Sequence, residues 1–121
     1  MSPTLQLRVS RSVLTDGSVL NQMKVLGIAI LDEAKRKYPF AKSSISRWKT
    51  ITDGANWKHF EELKQHFRAS DPVGKCVVFD VKHNDFRLIA IVDYARSIVI
   101  VKAFLKHSDY DENRWKNECG C

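Results

Sequence analysis

Two cations and a titratable pair stand close together in the last third of the chain: Arg87, Lys102, His107 and Tyr110. Arg87 shares strand parity with Ile89 and Ile91, so it ends an apolar row beside a turn, and Lys102 follows Ile98 and Ile100 in the same way. A guanidinium or ammonium in such a place either snorkels to solvent or meets an anion. His107 and Tyr110, three residues apart, come to one side if a helical turn follows the last strand. Imidazole is the natural proton carrier near neutral pH. The same pair is equally suited to capping and packing the chain end.

Other residues divide the same way between chemistry and structure. Lys58 and Lys64 lie six apart, about 120° off a common helical face, so one groove need not receive both. Trp57 could stack on a nucleobase, although a tryptophan opening a helix beside Phe60 usually belongs to the core, as Trp48 does. Lys35, Arg36 and Lys37 form a charge run that reads first as a solvated helix face. His59, His66 and His83 read as surface residues. Cys119-Gly120-Cys121 lacks the second spaced pair of a structural zinc site, so no metal or other cofactor is expected.

The elements that hold these residues follow from periodicity. Met23 to Gly27 is compatible with a short strand, after which Leu31, Ala34 and Tyr38 fall at helical spacing until Pro39 stops the helix. Ser43 and Ser44 offer caps to a second helix along Ile45, Trp48 and Ile51 that ends at Asp53-Gly54. Asn56 offers a cap to a third, with Phe60, Leu63 and Phe67 on one face. From Lys75 the period drops to two. Lys75 to Lys82, Phe86 to Asp93 and Ser97 to Leu105, joined by short polar turns, read as an antiparallel meander. Strand, helices and three strands define an α+β domain whose sheet packs one face on the helices and leaves the other for a site.

Composition sets the frame for that domain. The 121 residues carry 44% hydrophobic and 28% charged side chains, which suits one globular core and excludes a disordered chain. The division expected is an N-terminal extension over 1–22, a domain over 23–114 and a tail over 115–121. The longest apolar run, Leu88 to Val92, is too short to cross a bilayer, and residues 1–22 lack the apolar core of a secretory signal, so a cytoplasmic protein without a membrane partner is expected. Three cysteines do not make a closed disulfide framework, and Cys76, within an apolar run, is expected as a small buried hydrophobe in a reducing compartment. The net charge of +6 favours polyanions. Residues 23–67 hold nine Lys or Arg against five Asp or Glu, and residues 68–121 nine against eight, so the surplus lies mostly in the first half.

Five short motifs occur in an order that resembles one family. They are Tyr38-Pro39-x-Ala41, Trp57-Lys58 opening a helix, Val77-Val78-Phe79, Asn84-x-Phe86-Arg87-Leu88 and His107-x-x-Tyr110-Asp111. Together they resemble HigB-type toxins of toxin-antitoxin systems over about residues 23–111, with Met23 at the usual family start. Departures are His83 where the family has glycine in the hairpin turn, Lys102 where it has arginine, and Leu105-Lys106 where it has Gly-Thr.

The resemblance implies a RelE-like fold and an endoribonuclease that cleaves mRNA, often on the ribosome, under the control of a HigA-type helix-turn-helix antitoxin. It further implies Arg87, Lys102, His107 and Tyr110 as catalytic residues, without metal, and Lys58, Lys64, Lys106 and Trp57 as RNA-binding residues. Competing readings are a non-catalytic RNA- or protein-binding domain of the same fold, and an unrelated small α+β interaction module.

Overall fold

A computed structural model describes residues 22–83, 85–111 and 115–121. The expected arm over 1–22, apart from Gln22, and Asn84 of the hairpin turn lie outside the described residues. The chain runs β1 (Lys24–Leu26), α1 (Ile28–Lys37), a 3-10 turn (Pro39–Ala41), α2 (Lys42–Asp53), α3 (Phe60–His66), β2 (Ser70–Val73), β3 (Cys76–Val81), β4 (Phe86–Asp93), β5 (Ile98–Lys106), α4 (His107–Asp111) and α5 (Trp115–Cys119). The strands form one sheet in the order β1-β5-β4-β3-β2. No helix among the described residues is long and apolar enough to cross a membrane.

The expected α+β class holds, with corrections in detail. The sheet is mixed rather than antiparallel, because β1 joins β5 in parallel, Val25 opposite Val99. An unexpected fifth strand, β2, runs antiparallel to β3, with Pro72 opposite Val77. Proline hides a strand in sequence and is tolerated here because β2 is an edge. Gly74 and Lys75 make the turn into β3. Gly74 has φ +58°, and a β-carbon there would collide with the carbonyl of Cys121, so glycine is required on both counts.

The helix starts also differ. The Pro39–Ala41 turn runs straight into α2, so Ser43 and Ser44 sit inside its first turn and no side chain caps it. Trp57 and Lys58 precede α3, whose cap residue is His59 rather than Asn56. Glu62 instead reaches back to accept from the Lys58 backbone N–H at 2.6 Å, satisfying a donor at the helix start.

Strand parity separates two apolar layers. Val77, Phe79 and Val81 of β3 oppose Ala90, Leu88 and Phe86 of β4 and face the helices. There Trp48, Phe67 and Phe79 pack mainly edge to face, with Phe67–Phe79 centroids 5.2 Å apart, each such pair adding about 0.5–1.5 kcal/mol beyond area burial. Cys76, Val78 and Asp80 oppose Ile91, Ile89 and Arg87 on the other face. That second face is not open as expected. Trp115 and Cys119 of α5 cover Cys76, Val78 and Ile89 and are themselves buried. A disulfide joins Cys76 to Cys121 across 45 residues of sequence and fastens this tail to the sheet. Cys76 is therefore not the unpaired hydrophobe expected from its neighbours, and Cys119 is the free thiol.

Candidate active site

A β-bulge decides which β5 side chains share a face. Ile89 pairs with Ala103 and Ala90 with Val101, leaving Lys102 as the extra residue. Before the bulge, Val99 and Val101 point into the helix-side core. After it, Phe104 does so, and Leu105 turns to the tail side. The bulge thus carries Lys106 to the helix side, where its Nζ stands 5.9 Å from the Tyr38 ring. Bulges recur beside functional sites because they re-aim side chains in this way.

Arg87, His107 and Tyr110 lie at the same end of the sheet, where β4 begins and β5 ends. Arg87 pairs with Leu105 on β5, and His107 follows two residues later as the first residue of α4. The His107 backbone N–H donates to the Asp85 carbonyl at 3.0 Å, tying α4 to the hairpin that begins β4. One turn into α4, the Tyr110 ring lies 5.4 Å from the Arg87 guanidinium, within cation–π range. The other residues holding this group were not anticipated. Asp80, opposite Arg87 in the register, accepts from Arg87 Nε at 3.1 Å. Arg87 Nη1 donates to the Phe86 carbonyl at 3.1 Å. Trp115 stacks on Tyr110 with centroids 5.1 Å apart and donates from Nε1 to the Tyr110 carbonyl at 3.0 Å. Arg87 is consequently only 9% exposed, whereas His107 is exposed. The Asp80 partnership could have been found by counting outward from the turn. Trp115 gave no such signal.

Lys102 is exposed on the bulge, three residues back from the partner of Arg87, roughly 10 Å at strand rise. Its charge is felt by Cys119, whose thiol pKa is raised by burial, lowered by Lys102 and raised by Glu118. The structure thus sets Arg87 against Tyr110, places His107 at the same sheet end on the cleft with Phe40 and Lys106, and sets Lys102 apart beside the tail.

The RNA-binding expectations disperse further. Trp57 is 1% exposed and its Nε1 donates to His66 Nδ1 at 2.8 Å, so it belongs to the core. Lys64 donates to the Ser70 carbonyl at 2.9 Å beside edge strand β2. Lys58 is exposed just before α3. Lys106, by contrast, lines an open cleft with His107, Ser108, Asp85, Phe86 and Phe40. At the hairpin between β3 and β4, Lys82 and His83 both take positive φ, +52° and +61°. His83 thus adopts the conformation that glycine usually supplies. Among the described residues, no group of three or more His, Cys, Asp or Glu could hold a metal ion.

A small α+β domain with a mixed five-stranded sheet, its larger helices on one face and a short C-terminal helix on the other, is consistent with a RelE-like fold. A sequence model of the HigB toxin family, described as the RelE-like toxic component of a toxin-antitoxin system, matches residues 41–113, more than half of the chain. The chain belongs to this HigB toxin family, and membership implies an antitoxin partner. No curated protein matches the chain.

Proposed function

We propose that the protein is an mRNA endoribonuclease toxin that inhibits translation in the cytoplasm, acting on ribosome-bound mRNA and held in check by a HigA-type helix-turn-helix antitoxin. The observation that carries this reading is membership of the toxin family, supported by the Arg87–Tyr110 contact at the sheet end where His107 follows β5. In the reaction, a ribose 2′-oxygen attacks the adjacent phosphorus and the bond to the 5′-oxygen breaks. The products are a 2′,3′-cyclic phosphate and a 5′-hydroxyl end. Arg87 stabilises charge that grows on the phosphorane oxygens, where a fixed cation counts most. The exposed His107 imidazolium gives its proton to the departing 5′-oxygen, while the 2′-hydroxyl proton passes to solvent. Tyr110 holds the guanidinium in place, and Lys102 serves a neighbouring phosphate of the same strand.

One observation favours a second reading, a binding domain of the same fold without catalysis. Arg87 is engaged by Asp80 and lies beside the Tyr110–Trp115 stack. Induced expression in a bacterium, with RNA ends mapped afterwards, separates the two. The nuclease reading expects growth arrest with new 5′-hydroxyl ends within coding regions. Arrest without new ends supports the binding domain.

A further inference from the structure

We propose that the cleft bounded by Phe40, Asp85, Lys106 and His107 is a nucleobase subsite in which one unpaired base of single-stranded RNA stacks on Phe40. This rests on the reading of the protein as an RNA-cutting toxin and names how the substrate is held beside the reacting group.

Phe40 is 63% exposed, and the only other exposed large hydrophobic among the described residues is Leu26 at 38%. The backbone dictates that exposure. Pro39 opens the 3-10 turn, and Tyr38 and Ala41, three apart, are buried on its inner side, so residue 40 is turned outward. The ring is nevertheless supported, with Phe86 at 5.7 Å and Tyr38 edge-on at 6.2 Å. A supported aromatic with two side-chain torsions gives up little freedom when a base stacks on it.

The surroundings fit a nucleotide rather than an apolar peptide. Lys82 Nζ stands 5.9 Å from the Phe40 ring, and the bulge places Lys106 on the cleft wall. Two ammonium groups beside an exposed ring suit a base flanked by phosphates. Asp85 also lines the cleft, and its carboxylate would disfavour a phosphate there and accept from the exocyclic amine of a base. The Asp85 carbonyl also accepts from the His107 N–H. A base held against Phe40 therefore sits at a fixed remove from His107, and an amino-bearing base is preferred to uracil.

The test uses the full chain and a short fluorescein-labelled 2′-O-methyl RNA, which cannot be cut, carrying one abasic site moved stepwise along it. Wild type should lose on the order of tenfold in affinity when the abasic site falls at one position, as for a single stacked base. Phe40→Ala should bind the intact probe about that much more weakly and show a flat profile, while Phe40→Trp restores the position dependence. The dependence of affinity on salt should be the same in Phe40→Ala as in wild type, because no phosphate contact is lost. With uracil, cytosine and adenine compared at that position, Asp85→Ala should remove the preference for the amino-bearing bases. A flat wild-type profile with salt-dependent binding intact overturns the subsite and leaves the RNA reading standing. Absence of salt-dependent binding to every probe also overturns the subsite, while the nuclease reading then stands or falls on cleavage of ribosome-bound mRNA. If Phe40→Ala keeps the RNA profile but no longer retains the co-expressed antitoxin, the cleft is a protein-docking face and the proposal fails.

Discussion

Cutting the bond between Cys76 and Cys121 should cost the domain a large share of its stability. The bond closes a loop across 45 residues of sequence, and the chain-entropy relation gives roughly 4 kcal/mol for a loop of that length. Native domains are stable by only about 5–15 kcal/mol, so the loss is severe. At roughly 4 °C per kcal/mol for a chain of this size, the melting temperature should fall by about 15 °C. Cys121→Ser is the cleaner perturbation, because Cys121 is half-buried at the chain end whereas Cys76 is buried between sheet and tail. The assay is a circular-dichroism melt of wild type with and without a dithiol reductant, beside melts of Cys121→Ser and Cys119→Ala. Reduced wild type and Cys121→Ser should melt together, well below oxidised wild type. Cys119→Ala should keep its response to reductant, since Cys119 takes no part in the bond. Tryptophan emission offers a second readout. Trp115, 2% exposed, should shift to longer wavelength if the tail lifts away, while Trp48 and Trp57 stay in the core. If oxidised and reduced wild type melt within about one degree of each other, the loop argument is wrong.

Trp57→Phe keeps one aromatic ring but removes part of a buried indole and the donor to His66. It should cost about 2 kcal/mol or more in a denaturant titration, a lost hydrogen bond plus a cavity, and leave RNA affinity unchanged; weaker RNA binding in a folded Trp57→Phe would restore Trp57 as a contact. Burial, the largest influence on the Cys119 thiol, pushes its pKa up, outweighing the opposing charge of Lys102. The reactive thiolate is thereby disfavoured, so alkylation at neutral pH should be slow in the folded chain and rapid in denaturant, as mass spectrometry would show. Removal of residues 1–22 should leave a cooperative melt, because β1 is anchored from Met23 onward, whose N–H donates to the Ala55 carbonyl at 2.9 Å. Loss of the transition would make those residues part of the fold.

Legibility in the sequence followed the range of the forces involved. Helices α1 and α2 and strands β3, β4 and β5 were readable because their burial repeats at 3.6 or 2 residues, as in Leu31 and Ala34 or Val77, Phe79 and Val81. Strand β2 was not, since Ser70-Asp71-Pro72-Val73 has the composition of a turn and is extended only because β3 offers it a partner. The bulge at Lys102 was hidden for another reason. Ala103, Phe104 and Leu105 are apolar at both parities, so a one-residue slip leaves no polar residue misplaced to reveal it. That slip moves Lys106 to the cleft. In the candidate site, the placing of Arg87 and His107 at one sheet end could be read from adjacent strands. The burial of Arg87 could not, because the Tyr110 ring beside it is backed by Trp115, in a tail fastened by a long-range bond.

The proposed service of Arg87 and His107 in attack by a 2′-hydroxyl on mRNA is tested most directly by single-turnover cleavage of a synthetic mRNA on programmed ribosomes, first mapped to a cut site and then repeated with one 2′-deoxynucleotide at that site. Cleavage should vanish at the deoxy position. On the unmodified message, folded Arg87→Ala should slow it on the order of a hundredfold or more, and His107→Ala by about a hundred to ten thousandfold. The double variant should fall short of the product of the two losses, since both groups act on one transition state. Persistent cutting at the deoxy position, or wild-type rates in both folded single variants, would contradict the assignment.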